Sequence, residues 1–136
     1  MNKIKRLAAI KYGETFIHEG MAFQGGDTKV KIPISLIVYL IDTGDRKILV
    51  DSGCETMPGY DLFNFSSPAD TLRKAGLSPD EITDLILTHA HHDHAEATRR
   101  FPNATVHIEE QAYLFLYEQQ LIQQPFHLTS HNFLDQ

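Results

Sequence analysis

The chain has 136 residues, of which 42% are hydrophobic and 22% charged. This balance excludes a disordered protein and indicates one globular domain. The net charge of −6, with acidic and basic residues mixed along the chain, excludes the basic surface that nucleic-acid binding requires.

Residue usage also indicates the compartment. Cys54 is the single cysteine, so no intrachain disulfide can form, which fits a reducing compartment. Residues 1–7 carry basic side chains without the apolar core of a signal peptide. The longest apolar run, residues 34–41, is too short to span a membrane. We therefore expect a cytoplasmic protein with no membrane partner and no nucleic-acid partner.

The first predicted elements are strands. Residues 4–12 predict a strand, and the glycines within 13–31 predict a loop after it. The run 34–41 is rich in β-branched and aromatic residues, and turn residues separate it from a second apolar run at 47–50. This pattern predicts a β-hairpin whose second strand ends at residues 51–53.

Helix signals follow the hairpin. Ser67 suits an N-cap, Pro68 suits the first helical position, and Gly76 can end the helix. Ser78 begins a similar signal for a short helical turn. Residues 84–88 then predict a buried strand, because they form a short apolar run.

The last predicted elements are a helix over 95–100, a strand over 104–108 and a helix over 109–120. Residues 125–136 are weakly patterned and predict no element. The alternation of strands and helices indicates the α/β class, with helices on one face of a sheet.

A cluster of potential metal ligands follows the predicted strand at 84–88. His89, His91, Asp93 and His94 offer the imidazole nitrogens and carboxylate oxygens that zinc and similar ions bind. The carboxyl end of a strand is where α/β sheets place their sites. One short loop cannot wrap four ligands around a single tetrahedral ion without strain. The spacing therefore favours two ligands for each of two neighbouring ions, and a histidine-rich surface loop is the alternative.

Two sequence motifs resemble those of the metallo-β-lactamase superfamily. One is the run His89-Ala90-His91-His92-Asp93-His94, and the other is Ile48-Leu49-Val50-Asp51-Ser52-Gly53-Cys54, a strand that ends in Asp-Ser-Gly. Within the superfamily, residues 33–41 and 101–104 are similar to the N-acyl-homoserine lactonase-like branch. The resemblance covers most of residues 4–120. It implies the N-terminal half of an αββα sandwich, in which one mixed β-sheet has helices on one face.

The resemblance also implies roles for individual residues. His89 and His91 would bind a first divalent ion, and Asp93 and His94 a second, with zinc as the expected metal. Asp93 would orient the bridging water and take up its proton. Asp51 would accept a hydrogen bond from a ligand histidine and fix its ring. The alternative for Asp51 is a turn residue at the end of a strand.

Three other residues near the motifs leave alternatives open. His92 interrupts the alternation of ligands, and we expect it to be a non-ligand. Glu96 stands where family members often have glycine, which either narrows the pocket or stabilises the helix. Cys54 is expected to be a packed loop residue, although its place after the Asp51 turn also allows a position near the metals.

The family pattern includes three further ligands, two histidines and a bridging aspartate, beyond His94. Asp135 is the single aspartate after that point, and the histidines there are His107, His127 and His131. These three histidines are candidates for the missing ligands. The alternative is that His107 is an ordinary strand residue and that His127 and His131 are ordinary tail residues. The resemblance therefore implies that the metal centre is incomplete in this chain.

These features predict a truncated metallo-β-lactamase-like domain over residues 1–124 and a weakly patterned tail over 125–136. A half-sandwich leaves one face of its sheet uncovered, so we expect a homo-oligomer or a complementing chain. We expect this uncovered face to be apolar and to carry four residues: Leu36, Val38, Leu40 and Leu49.

Two functions fit the sequence. The first is a metal-dependent hydrolase of a small-molecule carbonyl substrate, a lactone or an ester, that uses a metal-activated hydroxide and is incomplete or inactive as this chain. The second is a non-catalytic metal-binding or interaction module that needs a partner chain.

Overall fold

A computed structural model describes residues 3–118 and 126–129. Its main feature is a six-stranded sheet whose strands lie side by side in chain order. The strands are β1 Arg6–His18, β2 Lys31–Asp42, β3 Lys47–Val50, β4 Asp84–Ile86, β5 Thr105–Glu109 and β6 Phe126–Thr129. The first three strands pair antiparallel, and β3 to β6 pair parallel. The predicted α/β class with a mixed sheet is therefore confirmed.

Short helices connect the strands. They are α1 Glu19–Ala22, α2 Pro68–Lys74, α3 His92–Ala95 and α4 Glu110–Glu118, with 3-10 turns at Pro79–Glu81 and Thr98–Arg100. In the part of the chain that the structure describes, none of the helices is long and apolar enough to cross a membrane.

The start of α2 and of the following turn is set by local capping. The Ser67 hydroxyl accepts the backbone N–H of Asp70 at 3.1 Å. Gly76, with a φ of 82°, follows the helix in the left-handed conformation that glycine adopts without strain. Ser78 and Glu81 form a capping box at the 3-10 turn. The predicted helix signals are confirmed here because capping depends on neighbouring residues alone.

The first strand is longer than predicted. β1 continues through residues 13–18, which the glycine content had predicted as loop. At Gly13 the register with β2 shifts by a bulge, and a Cβ there would meet Phe65 Cδ2 at 2.9 Å. This glycine therefore permits close packing inside a strand, and it does not end the strand.

Two other elements differ from the prediction. α3 begins at His92, three residues before the helix predicted over 95–100, so Asp93 and His94 lie in its first turn. β6 lies within the segment where no element was predicted, and it pairs with β5 in the register Val106↔Phe126. A four-residue strand at the end of a parallel sheet depends on its partner strand more than on its own sequence pattern.

The core lies between one face of the sheet and the helices. Leu40, Leu49 and Leu85 occupy this face in three neighbouring strands and are at most 3% exposed. They belong to the same buried cluster as Leu72 of α2 and Leu116 of α4. The helices therefore cover one face of the sheet, as predicted.

The residues predicted to lie on the uncovered face are in fact in the core. The prediction is wrong for all four, which are at most 5% exposed: Leu36, Val38, Leu40 and Leu49. Alternation along a strand separates two faces but does not show which face the helices cover. The opposite face carries Leu7, Tyr39 and Ile86, which are 68%, 47% and 38% exposed.

A charged cluster joins β3, β4 and β5 on this opposite face. The buried Asp84 carboxylate accepts hydrogen bonds from Arg46 at 2.7 and 2.9 Å, from Thr83 at 2.7 Å and from His107 at 2.8 Å. Burial alone would raise the pKa of Asp84. The hydrogen bonds from Thr83 and His107 and the charge of Arg46 together hold that pKa below its ordinary value.

Candidate metal centre

Two loops meet at the carboxyl ends of β3 and β4. The strands are parallel neighbours, so the segment after Val50 and the segment after Ile86 leave the sheet at the same edge. Backbone hydrogen bonds join them, from Asp51 N–H to Ile86 O at 2.8 Å and from Ser52 N–H to His94 O at 2.8 Å. The sheet therefore brings the two sequence motifs together.

Asp51 connects the two motifs through its side chain. Its carboxylate accepts the backbone N–H and the hydroxyl of Thr88, both at 2.8 Å, and lies 2.7 Å from His94 Nδ1. Asp51 has a φ of 62°, a left-handed conformation that is strained for residues with a side chain. These contacts hold the carboxylate against the ring of His94, the arrangement expected for Asp51.

The Asp51 carboxylate also determines which ring nitrogens carry hydrogen. His94 Nδ1–H donates to Asp51, which leaves the Nε2 lone pair of His94 available. The Thr88 hydroxyl donates to Asp51, so it accepts Nδ1–H of His89 at 3.0 Å and leaves Nε2 of His89 available as well. Sequence reasoning missed Thr88, and its place directly before the histidine run was the available signal.

Three predicted ligand rings form one group. The ring centroids of His89 and His91 are 4.5 Å apart, and those of His89 and His94 are 4.0 Å apart. Burial first, and then the neighbouring His94 and His91, lower the pKa of His89. Neutral imidazole is the form that binds a metal ion.

The Asp93–His94 pair has the spacing that a metal ion requires. Asp93 Oδ2 and His94 Nε2 are 3.4 Å apart. Two donors about 2.1 Å from one tetrahedral ion lie about 3.4 Å apart. Within residues 3–118 and 126–129, no three His, Cys, Asp or Glu side chains are grouped so that they could hold one ion. The donors of the described residues therefore fit a divalent metal in chemistry and in the spacing of this pair.

Of the other histidines, His92 and His107 have their own hydrogen-bond partners. His92 Nε2 donates to the carbonyl of Thr56 at 2.7 Å, so this ring nitrogen already has a partner in the loop after β3. His107 bonds to Asp84 on the opposite face of the sheet. The backbone of His127 lies in β6, while His131 and Asp135 lie outside the described residues.

Glu96 joins α3 to the loop after β3. Its carboxylate accepts the backbone N–H of Glu55 at 2.6 Å, and the N–H of Ala97 donates to Gly53 O at 3.0 Å. Glu96 is 8% exposed. This contact is a third effect beside the two left open for this residue, since the side chain ties the loop after β3 to the end of α3.

Tyr12 and Cys54 lie beneath the two loops. Burial, followed by the neighbouring Cys54, raises the pKa of the Tyr12 phenol. Burial likewise raises the pKa of the Cys54 thiol to about 11. Cys54 is fully buried, as expected for a packed loop residue. Sequence reasoning did not single out Tyr12, which ends the predicted first strand without any motif.

A cavity of about 400 Å³ opens beside the ligand group. His91, His92 and Asp93 line one side of it. The remaining wall is mostly apolar and includes Ile17, Met21, Ile34, Met57 and Tyr60. The cavity therefore offers a small molecule one polar side with potential ligands and one apolar side.

The sequence matches a family and two curated relatives. The family model described as the metallo-beta-lactamase superfamily matches residues 38–129. N-acyl homoserine lactonase AiiB of Agrobacterium fabrum (strain C58 / ATCC 33970) is 34% identical over 87 residues, which cover 53% of this chain and 31% of that protein. The beta-lactamase-like protein 2 homolog of Drosophila melanogaster is 41% identical over 56 residues, which cover 41% of this chain and 17% of that protein.

Solved structures share the fold. A B. thuringiensis AiiA mutant with N-decanoyl-L-homoserine bound at the active site has a TM-score of 0.79 at 16% identity, covering 98% of this chain and 63% of that chain. AidC, a dizinc quorum-quenching lactonase in complex with a product, has a TM-score of 0.64 at 24% identity. The match covers 83% of this chain and 45% of that chain. The chain thus spans less than two thirds of the length of these relatives.

These findings agree with the resemblance drawn from the two motifs. The predicted half-sandwich is confirmed, because the relatives of known structure superpose on the sheet and helices of this chain. The match to the family model runs from β2 to β6 and includes both loops that meet at the ligand group. The chain belongs to the metallo-beta-lactamase superfamily.

Proposed function

We propose that the chain carries the N-terminal ligands of a two-metal centre that hydrolyses a small carbonyl substrate, a lactone or an ester. The observation that supports this most is the spacing of Asp93 and His94, with Asp51 bonded to the far side of the His94 ring. This arrangement combines two metal donors with a carboxylate that orients one of them.

In this proposal, His89 and His91 hold one divalent ion, and Asp93 and His94 hold the other. Zinc is the proposed metal, in keeping with the name of the dizinc relative AidC. When bound, such ions lower the pKa of a water molecule and polarise a carbonyl oxygen. Asp51 keeps Nε2 of His94 free of hydrogen, and the carboxylate of Asp93 is positioned to accept a proton from the attacking water.

The proposed substrate class comes from the cavity and the relatives together. The apolar wall beside His91 and Asp93 would exclude water and accept an apolar substituent. The relatives named above include lactonases, and two of their structures hold homoserine derivatives. An N-acyl homoserine lactone combines a hydrolysable lactone with an apolar acyl chain, so it is the substrate that we propose to test first.

A second function is favoured by one observation. Among the described residues no three potential ligands surround a common point, and two donors bind an ion less tightly than three or four. The chain would then be a non-catalytic metal-binding or interaction module that needs a homo-oligomer or a complementing chain.

Metal content and turnover, measured together, distinguish these functions. The chain would be stripped with a chelator, loaded with zinc and assayed for hydrolysis of an N-acyl homoserine lactone and a p-nitrophenyl ester. We expect Asp93→Asn to lower any turnover by about a hundredfold or more, because it removes a ligand and a proton acceptor. The control, Asp80→Asn, changes an exposed aspartate elsewhere and should have no effect.

The outcomes distinguish a chain that hydrolyses the substrate by itself from a chain that only binds metal. Bound zinc with Asp93-dependent turnover supports the hydrolase. Bound zinc without turnover of either substrate supports the metal-binding module. A chain that binds no zinc would show that both functions are wrong. Turnover that Asp93→Asn leaves unchanged would show that the proposed hydrolase site is wrong.

A further inference from the structure

Tyr12 lies in β1, on an element that carries none of the proposed ligands. Its side chain is 2% exposed and reaches the underside of the two loops. The ring packs edge-on against Phe65, with centroids 6.1 Å apart. The turn at Gly53 lies so close that a Cβ there would stand 2.9 Å from Tyr12 Cζ. The absence of a side chain at Gly53 therefore lets the loop after β3 rest on the Tyr12 ring.

The Tyr12 hydroxyl bonds to both loops at once. It accepts the backbone N–H of Cys54 at 3.3 Å and donates to the backbone carbonyl of Asp93 at 3.3 Å. The first partner follows the Asp51 turn, and the second lies in the first turn of α3. One hydroxyl in β1 thus bridges the two segments that carry the proposed metal site.

Other hydrogen bonds between the same two segments run directly from one to the other. Ser52 N–H donates to His94 O, and Ala97 N–H donates to Gly53 O. These bonds hold the segments edge to edge, while Tyr12 attaches both to the first strand of the sheet. The Asp93 backbone therefore has a fixed point on a strand that is itself paired along its length with β2.

We propose that Tyr12 is a positioning residue for the proposed metal site, whose hydroxyl holds the backbone of Asp93 in register with the Asp51 turn. The Asp93 carboxylate and His94 Nε2 keep their 3.4 Å spacing because the backbone of both loops is fixed beneath them. This inference rests on the proposed ligands Asp93 and His94. The competing explanation is that Tyr12 only fills the core with its ring.

The variant Tyr12→Phe separates these two roles, since it keeps the ring and removes the hydroxyl. The matched control is Tyr39→Phe, which makes the same change at a side chain 47% exposed in β2. Each protein would be titrated with cobalt(II), whose visible absorption reports ligand geometry. Amide hydrogen exchange of the metal-free proteins would be measured alongside.

We expect Tyr12→Phe to bind cobalt about fivefold or more weakly than the wild type, with an altered spectrum, because one buried hydrogen bond to the ligand backbone is lost. The amide of Cys54 should exchange faster by a similar factor, while core amides such as Leu40 should keep their protection. Tyr39→Phe should match the wild type in both measurements.

The outcomes distinguish this inference from the proposed function. If the wild type binds cobalt and Tyr12→Phe binds it with the same affinity and the same spectrum, the positioning role is wrong. That result would not contradict the proposed ligands. A uniform rise in exchange at Cys54 and Leu40 would assign Tyr12 to core packing alone. If the wild type binds no cobalt, the proposed ligands fail, and the positioning role fails with them.

Discussion

Asp51 holds a backbone conformation that few residues other than glycine adopt, with a φ of 62°. Its sequence context predicted that its carboxylate orients a ligand histidine, and the carboxylate does contact His94. The sequence could not show the strained backbone or the second contact through Thr88 to His89, because both depend on how the two loops meet. A strained backbone retained at a cluster of polar side chains points to a functional requirement.

Replacing Asp51 with asparagine tests this requirement. Asp51→Asn keeps the size of the side chain but removes the charge that fixes His94 and Thr88. We expect zinc to bind about tenfold or more weakly, in the range seen when residues that orient metal ligands are changed. A competition titration with a coloured chelator would measure this. Asp80→Asn is the matched control, and equal affinity in the two variants would contradict the assigned role.

The Cys54 thiol should be unreactive in the folded protein. Burial is the largest cause of its raised pKa of about 11, while the hydrogen bond with Tyr12 acts in the opposite direction. Because the thiolate is the reacting form, iodoacetamide at about pH 8 should modify Cys54 at least about a hundredfold more slowly than a free cysteine. Denaturant should restore the ordinary rate. Rapid modification under native conditions would show that the thiol is accessible.

The elements differ in how far their sequences determine them. The helix α2 begins at Pro68, directly after its Ser67 cap, and ends before Gly76 as predicted, because caps depend on adjacent residues. The extension of β1 past Gly13 was missed because the packing of Phe65 against that glycine is a tertiary contact. The early start of α3 was missed because His91, its N-cap, makes no side-chain cap bond that a pattern could reveal.

Glu96 should stabilise the junction between α3 and the loop after β3. The variant Glu96→Ala loses the acceptor for the part-buried N–H of Glu55, and an unpaired donor there should cost about 1 kcal/mol of unfolding free energy, at the low end of the range for buried donors. Urea denaturation would measure this change. Glu96→Gln keeps an acceptor oxygen and should retain most of the stability. Glu118→Ala, an exposed change in α4, serves as the control. If both alanine variants had equal stability, the junction would contribute nothing.

The cluster around Asp84 should make the unfolding free energy of the protein decrease at acidic pH. The folded pKa of Asp84 is lowered, so its contribution is fully present above the unfolded pKa of about 3.9 and is lost as the pH falls through the folded value. The unfolding free energy of the wild type should therefore decrease more steeply than that of Asp84→Asn between about pH 5 and pH 2. Chemical denaturation across this range would compare the slopes. Parallel curves would mean that Asp84 has the same pKa folded and unfolded.

At the scale of the whole molecule, the order of the strands brings the site together. Parallel pairing of β3 and β4 places Asp51 beside the histidine run, although Asp51 lies 37 positions before Thr88, with which it forms hydrogen bonds. The family resemblance predicted that Asp51 lies beside the histidine run. The alternation of strands and helices alone predicted only the α/β class. The same patterns could not assign the buried face, because both faces of the central strands are apolar. A homo-oligomer or a complementing chain stays a prediction, although the face from which it was drawn, that of Leu36, Val38, Leu40 and Leu49, is buried.

In the proposed function, His89, His91 and His94 bind divalent metal together with Asp93. The most direct test follows the histidine ring nitrogens by NMR during a zinc titration. We expect large shifts at the rings of His89, His91 and His94, and no comparable shift at His92, whose Nε2 bonds to Thr56. A response confined to His92, or no response at any of the three proposed ligands, would contradict the proposed function.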